Sequence, residues 1–305
     1  MTKKRLLVFG NSYMDFSIKV KRAPERGETV LSNLEHSFLP GGHGTISAVT
    51  AAKYGTDVIY CTRIGEDENG DKLLKALNHH SIDVRFVKND KRKKTGINAI
   101  TIENGNRPRT VTFPGANTSL SYDDIESAFM CYPDALLLNC DLRSEFMLDA
   151  VKFASSSNIP VILSCGSELT DLDVEDLESV EIFSPNRESV YKLTGIDSVD
   201  ANSALHACVK IKNKFKCKYI VIKLGDRGCF VFDGVYSEII PALDVDVVDT
   251  TMAGTIFTSA LAHKYLETAN ISTASKFANA AASLSVSKDG AYSSIPELEE
   301  ILPIV

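Results

Sequence analysis

The segment from Val247 to Thr255, with the sequence VVDTTMAGT, joins a short apolar run to a series of small residues and leads into an amphipathic helical stretch. A strand that opens through small residues into a helix presents unpaired backbone N–H groups and the positive end of the helix dipole. Such a turn is suited to binding a phosphate, or the charge that develops on one during a reaction. The alternative is an ordinary helix start, capped by Thr250, Thr251 or Thr255.

Three further segments could contribute groups to the same site. The segment Gly41–Gly44 (GGHG) opens another helical stretch and allows a close backbone approach. Lys223–Gly228 (KLGDRG) makes a tight turn after a strand, but it is not a Walker loop because no Gly-Lys-Ser/Thr follows. Asp15 follows the first strand, at the edge where open α/β sheets bind ligands, although an aspartate there is also a common turn former.

The elements that must position these residues alternate along the chain. Short runs rich in Val, Ile and Leu are typical of parallel strands covered on both faces, and amphipathic stretches between them predict helices. This alternation favours a doubly wound, mainly parallel α/β sheet with right-handed crossovers. The predicted strands are Leu6–Phe9, Val58–Cys61, Ala135–Asn139, Val161–Leu163, Ile182–Ser184 and Tyr219–Ile222. The predicted helices are Gly44–Tyr54, Gly70–His80, Glu145–Ser157, Ala201–Lys214 and Thr255–Glu267.

Two regions depart from the alternation. Gly96–Ile102 and Arg109–Phe113 are β-rich and are separated by a polar turn, so they predict a hairpin. Residues 12–38 are also β-rich and rich in turn formers. We predict that the segments of about 12–38 and 95–114 form a small β-sheet lid, inserted in a single domain that spans residues 1–305.

Composition excludes several classes of protein. The 305 residues are 44% hydrophobic and 24% charged, which is typical of a chain that buries a full core. A formal net charge of −7 argues against binding to nucleic acid or to an anionic membrane. No apolar run reaches the roughly 18–20 residues that span a bilayer, and the apolar stretch near the N-terminus is too short for a signal peptide. We therefore predict a cytoplasmic protein.

The cysteines and histidines show no metal-binding spacing. The seven cysteines form no CxxC pair and mostly lie in apolar segments, which predicts reduced, buried side chains in a reducing compartment. The six histidines are scattered, so no structural metal is expected. The cysteines are Cys61, Cys131, Cys140, Cys165, Cys208, Cys217 and Cys229. The acidic stretch Asp171–Glu181 predicts an exposed helix or loop.

Taken together and in order, these segments resemble the ribokinase-like (PfkB) carbohydrate kinase family over essentially the whole chain. The resemblance is carried by many landmarks in the family's order and spacing, so chance is negligible. They are Gly10–Asp15, Gly27–Thr29, Gly41-Gly42, Arg63–Gly70, Pro114–Asn117, Ser184–Asn186, Lys223–Gly228, Asp249–Thr255, Phe277–Val286 and Ser287–Ser294.

The resemblance implies in-line transfer of the γ-phosphoryl group of ATP to a sugar hydroxyl, with Mg²⁺ bridging the phosphates. It also implies a monovalent-cation loop at Ser287–Ser294 and a homodimer formed through the lid, as in several family members. On the sugar or nucleoside side it assigns Asp15, Gly41, Gly42, Asp141 and Asp249, to which Asn11 and Asn139 could add hydrogen bonds. On the nucleotide side it assigns Asn186, Lys223, Gly225, Gly228 and Asn279, the last near the adenine.

The resemblance breaks down at the catalytic turn. The family signature reads D-T-T-G-A-G-D, in which the glycine-bearing turn binds the transferred charge and the last aspartate removes the proton of the acceptor. Ala253 and Gly254 match, but Met252 replaces the first glycine and Thr255 replaces the base. A threonine hydroxyl cannot take a proton near neutral pH, and losing a general base costs about 10²–10⁴ in rate. If position 252 needs a positive φ, methionine there also adds roughly 1–2 kcal/mol of strain.

Three other positions depart from the family. In the N-x-x-E motif, Glu188 comes one residue early, which turns it about 100° around a helix. Ile46 replaces an asparagine that binds sugar, and His43 stands where lysine is common. We therefore expect weak or absent kinase activity. The alternatives are an active kinase that uses a substitute carboxylate such as Glu188, Asp249 or an aspartate of the pocket, a non-catalytic sensor or partner subunit that binds a sugar or nucleotide, and a different chemistry on the same scaffold.

Overall fold

A computed structural model describes residues 3–103, 108–166, 180–214 and 216–305. Thirteen strands are found in this part of the chain. They are Arg5–Phe9 (β1), Tyr13–Val20 (β2), His36–Gly41 (β3), Asp57–Gly65 (β4), Asp83–Asp90 (β5), Gly96–Glu103 (β6), Arg109–Phe113 (β7), Ala135–Asn139 (β8), Val161–Cys165 (β9), Val180–Pro185 (β10), Cys217–Gly225 (β11), Gly228–Phe232 (β12) and Ser237–Ile240 (β13).

Nine of these strands form the main sheet, in the order β13-β12-β11-β10-β9-β8-β1-β4-β5. The pairs from β11 to β5 are parallel, and β12 and β13 are added antiparallel at one edge. This confirms the doubly wound, mainly parallel sheet predicted from the continuous apolar runs. In β1, Leu7 and Phe9 pack on one face of the sheet and Leu6 and Val8 on the other, so both faces are buried.

Helices cover both faces of the main sheet. The described residues form His43–Lys53 (α1), Glu68–His79 (α2), Tyr122–Phe129 (α3), Ser144–Ser156 (α4), Arg187–Thr194 (α5), Ala201–Lys212 (α6), Ala253–Thr268 (α7), Ile271–Ser285 (α8) and Leu298–Ile301 (α9). Side chains of α3, α4 and α6 pack in one core cluster, and those of α1, α7 and α8 pack in the other. The five helices predicted from the sequence are all present, and none of their ends differs from the prediction by more than two residues.

A separate four-stranded sheet, which we call the lid, has the order β3-β2-β6-β7. The predicted hairpin is present as the antiparallel pair β6 and β7, while β2 pairs with β6 in parallel. Because side chains alternate across a strand, the lid has two different faces. One carries polar groups such as Asp15 and Asn98, and the other carries exposed apolar side chains such as Phe16 and Val111.

One prediction about the cysteines is wrong. Cys140 and Cys165 form a disulfide, at the ends of the adjacent parallel strands β8 and β9. The register pairs Asn139 with Ser164, so the next residue of each strand comes to the same edge, with the two Cα atoms 5.1 Å apart. Because the two cysteines are 25 positions apart in the sequence, the sequence alone does not show that they are close. The other five cysteines are free thiols.

Two other sequence predictions concern the acidic stretch and the absence of a membrane-spanning segment. The acidic stretch Asp171–Glu181 lies outside them, apart from its last two residues, which belong to β10. In the described part of the chain, no helix is both long and apolar enough to cross a membrane.

Candidate active site

Two adjoining cavities open at the carboxyl edge of the main sheet. The first, of about 1280 Å³, lies between the polar face of the lid and the ends of the strands, and we call it the lid cavity. The second, of about 760 Å³, lies over the turn between β11 and β12, and we call it the hairpin cavity. Four residues belong to the walls of both: His43, Cys140, Asp141 and Met252. The cavities therefore meet at the start of α1 and just before α7.

Asp15 lies in the wall of the lid cavity, as expected for a residue that follows β1 on the chain. Its buried carboxylate accepts a hydrogen bond of 2.8 Å from the Asn98 side-chain amide. Burial raises the pKa of Asp15 to about 6, against the opposing effects of Asn98 and His43. Asn98 was missed from the sequence. The available signal was a polar residue on the face of β6 that otherwise carries Ile100 and Ile102.

The two residues before α1 are glycines for different structural reasons. A Cβ atom at Gly41 would lie 1.9 Å from Oδ2 of Asp15, so only glycine leaves room for that carboxylate. Gly42 has φ of 86° and is the N-cap of α1, a backbone conformation that glycine adopts without strain. Together they bring the lid strand β3 and the start of α1 against Asp15.

Asn11 and Asp141 lie together beside the ends of β1 and β8. The Asn11 side chain donates a hydrogen bond of 2.7 Å to the backbone carbonyl of Asp141, so it positions the loop after β8 instead of lining a cavity wall. Asp141 lines both cavities. Asn139 lines the hairpin cavity and donates to the carbonyl of Phe9 at 3.3 Å.

The turn before α7 has the strained geometry considered above. Met252 is the N-cap of α7 with φ of 60°, in the left-handed region. The helix begins at Ala253, two residues earlier than predicted, and no side chain caps it, so the alternative of a threonine cap is wrong. The Lys223 side chain packs over Gly254, and its ammonium group donates to the Thr258 hydroxyl at 3.2 Å. A cation and a helix N-terminus thus face the hairpin cavity together, an arrangement suited to anions.

Thr255, at the position of the family's base, makes a contact that the sequence did not reveal. Its Oγ1 lies 2.7 Å from Nδ1 of His43, although 212 positions separate the two residues in the chain. The same hydroxyl is directed towards the Met252 sulfur at 3.6 Å. Thr255 is buried and belongs to the wall of the hairpin cavity, whereas His43 reaches both cavities.

Two of the acidic residues considered as substitute bases, Asp249 and Glu188, are occupied elsewhere. Asp249 lines the lid cavity, but its carboxylate accepts the backbone N–H groups of Thr251 at 2.8 Å and Gly290 at 3.0 Å. Glu188 is exposed on α5, pairs with Lys192 at 3.1 Å and belongs to the wall of neither cavity. Neither is therefore placed to take the proton of a bound hydroxyl.

Ile46, which replaces the family's sugar asparagine, is fully buried in the core cluster with α7 and α8. It contributes to packing and not to the wall of either cavity. Of the two replaced positions in α1, His43 lines the cavities and Ile46 does not.

The residues assigned to the nucleotide side all line the hairpin cavity. Asn186 caps α5 by accepting the N–H of Ser189 at 2.8 Å. Gly225 and Gly228 have φ of 69° and 88°, which the tight turn between β11 and β12 requires. Asn279 donates a hydrogen bond of 2.7 Å to the carbonyl of Pro241. The described residues contain no group of three or more His, Cys, Asp or Glu side chains that could hold a metal ion.

The matches to known proteins span nearly the whole chain, including the residues of both cavities and of the lid. The family model described as pfkB family carbohydrate kinase matches residues 3–298. The chain is 30% identical to ribokinase of Haemophilus influenzae over 302 residues, which covers 98% of each chain. It is 28% identical over 305 residues to a bifunctional ribokinase/ribose-5-phosphate isomerase A of Fructilactobacillus sanfranciscensis, of which it spans 56%. The structure of Arabidopsis thaliana ribokinase complexed with ribose and ATP superposes with a TM-score of 0.87 at 26% identity, and the match covers 100% of this chain and 99% of that one.

Proposed function

The chain belongs to the pfkB family of carbohydrate kinases, and on that premise we propose that it transfers the γ-phosphoryl group of ATP to a hydroxyl group of a sugar or nucleoside. The observation that carries the proposal is the pair of cavities that meet at Met252 and His43. An in-line transfer needs donor and acceptor on either side of one point, with preorganised positive charge beside it. The N-terminus of α7 and Lys223 supply that charge.

The acceptor binds in the lid cavity. Asp15 offers a carboxylate to sugar hydroxyls, and Asn98 holds it in place through the hydrogen bond of 2.8 Å. Asp141 extends the acidic wall towards the junction of the cavities. Ribose is the acceptor favoured by the names of the related kinases and by the ribose bound to the Arabidopsis protein.

The nucleotide binds in the hairpin cavity, over Gly225 and Gly228 and towards Asn279. Lys223 and the N-terminus of α7 face its phosphates. Mg²⁺ would enter the hairpin cavity with the nucleotide, and it would supply positive charge at the phosphates during the transfer. A monovalent cation at residues 287–294 would act on the catalytic turn through Asp249, which accepts the Gly290 N–H.

The rate is expected to fall below that of relatives with an aspartate at position 255. Positioning and electrostatic stabilisation account for most of phosphoryl transfer and remain in place, whereas the Thr255 hydroxyl supplies no base. A second candidate function is ligand binding without transfer, in a sensor or a partner subunit. The replacement of both the glycine at 252 and the base at 255 favours it.

The decisive experiment is direct detection of phosphorylated product from ATP-Mg²⁺ with ribose, 2-deoxyribose and a panel of other sugars and nucleosides. The Met252→Gly/Thr255→Asp double variant, which restores the family signature, runs in parallel as a control for the scaffold. We expect measurable turnover by the parent. A silent parent with an active double variant would support ligand binding without transfer. If both are silent, calorimetric binding of ATP-Mg²⁺ and ribose decides between that candidate and a different chemistry.

We also propose a homodimer formed through the lid. The outer face of the lid exposes Phe16, Phe38, Val111 and Phe113, of which Val111 and Phe113 are 61% and 58% accessible. These side chains come from adjacent strands in register, since Phe16 pairs with Phe38 and both β2 and β7 flank β6. A contiguous apolar patch of this kind is typical of a protein interface. A second copy of the same lid is its natural partner in a symmetric dimer.

A further inference from the structure

Three of the positions that depart from the family pattern are in direct contact. Met252, Thr255 and His43 come from two segments far apart in the sequence, yet they form one chain of contacts in the structure. The His43 ring nitrogen Nδ1 lies 2.7 Å from Thr255 Oγ1, and that oxygen lies 3.6 Å from Met252 Sδ. Independent losses of function would be scattered over the site. The direct contact between these three residues instead indicates that together they replace one part of the catalytic site.

We propose that His43 is the general base of this protein, taking the acceptor's proton on Nε2 while Thr255 holds the ring through Nδ1. This rests on the proposed function. His43 and Met252 both line the two cavities, and of these two only His43 has a side chain that can take a proton, at the point where an acceptor in the lid cavity meets a phosphoryl group in the hairpin cavity. Thr255 is then a positioning residue and not a base.

The hydrogen-bond geometry is compatible with this division of roles. The Thr255 hydroxyl can donate to the Met252 sulfur at 3.6 Å, so the proposal places the hydrogen of the His43 contact on Nδ1, with the Thr255 oxygen as its acceptor. A neutral imidazole has one N–H, and with that hydrogen on Nδ1 the lone pair is on Nε2. After proton transfer both ring nitrogens are donors, and the Thr255 oxygen still accepts from Nδ1. Met252 thus gives the threonine hydrogen a direction that suits both states of the ring.

The electrostatic surroundings favour the imidazolium that the reaction would form. Asp15 and His43 interact, with each charge stabilising the other. The neighbouring carboxylate of Asp249 is bound by backbone N–H groups, and the cation of Lys223 lies on the nucleotide side. The titratable and charged groups that share the cavity walls with His43 include Tyr13, Asp15, Asp141, Lys223 and Asp249. The same walls also contain Lys19, Glu35, His36, Arg143, Glu145, Asp226, Asp244, Asp289 and Tyr292.

The reaction balances without further reagents. The acceptor oxygen forms a bond to the γ-phosphorus as the bond from that phosphorus to the bridging oxygen of ATP breaks, and ADP leaves with the electron pair. The acceptor's proton passes to Nε2 of His43 and from there to water. The backbone N–H groups at the start of α7 face the phosphoryl group in transit.

The test measures kcat and KM against pH for the parent and for His43→Asn, with ATP-Mg²⁺ and ribose, or with the acceptor of the panel that is turned over fastest. Asparagine keeps a polar group beside Thr255 but cannot take a proton. We expect kcat to fall by about 10²–10³-fold, since a general base contributes 10²–10⁴. The KM for the acceptor should change little. His79→Asn, on the exposed surface of α2, is the matched control and should keep the parent rate.

The pH profile distinguishes catalysis from a structural effect. For the parent, kcat should fall as the pH drops through the pKa of an imidazole, ordinarily about 6.5, because only the neutral ring accepts a proton. That limb should be absent in His43→Asn. Thr255→Val, which removes the hydroxyl at equal volume, should lower kcat about tenfold and shift the limb, and Thr255→Ser should restore both.

The same measurements distinguish a wrong role for His43 from a wrong proposed function. If the parent turns over and His43→Asn keeps its rate and its low-pH limb, His43 is not the base, and the proposed function stands. If the parent binds ATP-Mg²⁺ but phosphorylates nothing in the panel, the proposed function fails and the role of His43 fails with it. Should His43→Asn not fold by circular dichroism, the Thr255→Val and Thr255→Ser pair decides on the same readouts.

Discussion

At the scale of single residues, the site combines groups that the sequence identified with contacts that it could not. Asp15 and Lys223 were assigned from motif order, and both line the cavities where a donor and an acceptor would bind. Asn98 and the pair His43 and Thr255 depend on which strands and helices come together. Their partners are 83 and 212 positions away, so no local pattern reports them.

The carboxylate of Asp15 leads to a prediction about pH. Its pKa is raised to about 6 by burial, so the ionised form, which would accept hydrogen bonds from the hydroxyl groups of a bound sugar, is lost as the pH falls through 6. We expect the affinity for ribose, measured by calorimetry, to rise between pH 5 and 7 and then to level off. Asp15→Asn should weaken binding at pH 7.5 by about 10–100-fold, the value of a hydrogen bond to a charged group, and should remove the pH dependence.

The matched control for this prediction is Glu35→Gln, an exposed carboxylate at the rim of the same cavity. It should bind ribose as the parent does. An affinity that is independent of pH in the parent would show that Asp15 does not hold the acceptor through its charge.

At the scale of elements, strands buried on both faces were predicted best. β8 has the predicted ends, and β1 and β9 extend by one or two residues, because continuous Val, Ile and Leu runs mark burial on both sides. β4 continues four residues beyond the prediction, to Gly65, where it pairs with the polar end of β5. β5 and β13 lie at the two edges of the sheet and have mixed, half-exposed patterns, so their sequences alone do not predict strands.

The start of α7 gives a prediction about stability. Met252 has φ of 60°, where glycine is free of the steric cost that other residues meet. Met252→Gly and Met252→Ala both remove the packing of the methionine side chain. The difference between their free energies of unfolding therefore reports the cost of the backbone conformation. We expect Met252→Gly to be more stable than Met252→Ala by about 1 kcal/mol in urea unfolding.

The control for this comparison is the next residue, Ala253, which has helical dihedrals within α7. There the sign should reverse, with Ala253→Gly less stable than the parent by up to about 1 kcal/mol. Equal stabilities of the two Met252 variants would mean that the turn relaxes and stores no strain.

At the scale of the whole molecule, the alternation of strands and helices was enough to predict the layered sheet, and the two β-rich interruptions were enough to predict the small sheet. The alternation did not reveal that one face of that sheet closes a cavity while the other is apolar and exposed. That division depends on the register of β2, β6 and β7, which places Asp15 beside Asn98 and Phe16 beside Ala99.

The apolar outer face predicts the oligomeric state. We expect the parent to elute as a dimer in size-exclusion chromatography with light scattering. Phe113→Asp should shift it to a monomer by placing a charge in the interface. Met130→Asp, which changes an apolar side chain that is 76% accessible and lies outside the lid, should leave the dimer intact. A monomeric parent, or a dimer that survives Phe113→Asp, would rule out association through this face.

The close fit between Gly41 and Asp15 also bears on how the protein can change by mutation. Any Cβ at position 41 would overlap the carboxylate, 1.9 Å from its Oδ2, so the cost of a substitution at 41 depends on which residue occupies 15. In a library of single variants, position 41 should tolerate no replacement. In a library built on Asp15→Ala, alanine or serine at 41 should become acceptable to the fold. The two positions are therefore epistatic. A lineage that lost the carboxylate at position 15 could accept a larger residue at position 41, and that residue would then prevent an aspartate at position 15 from being restored.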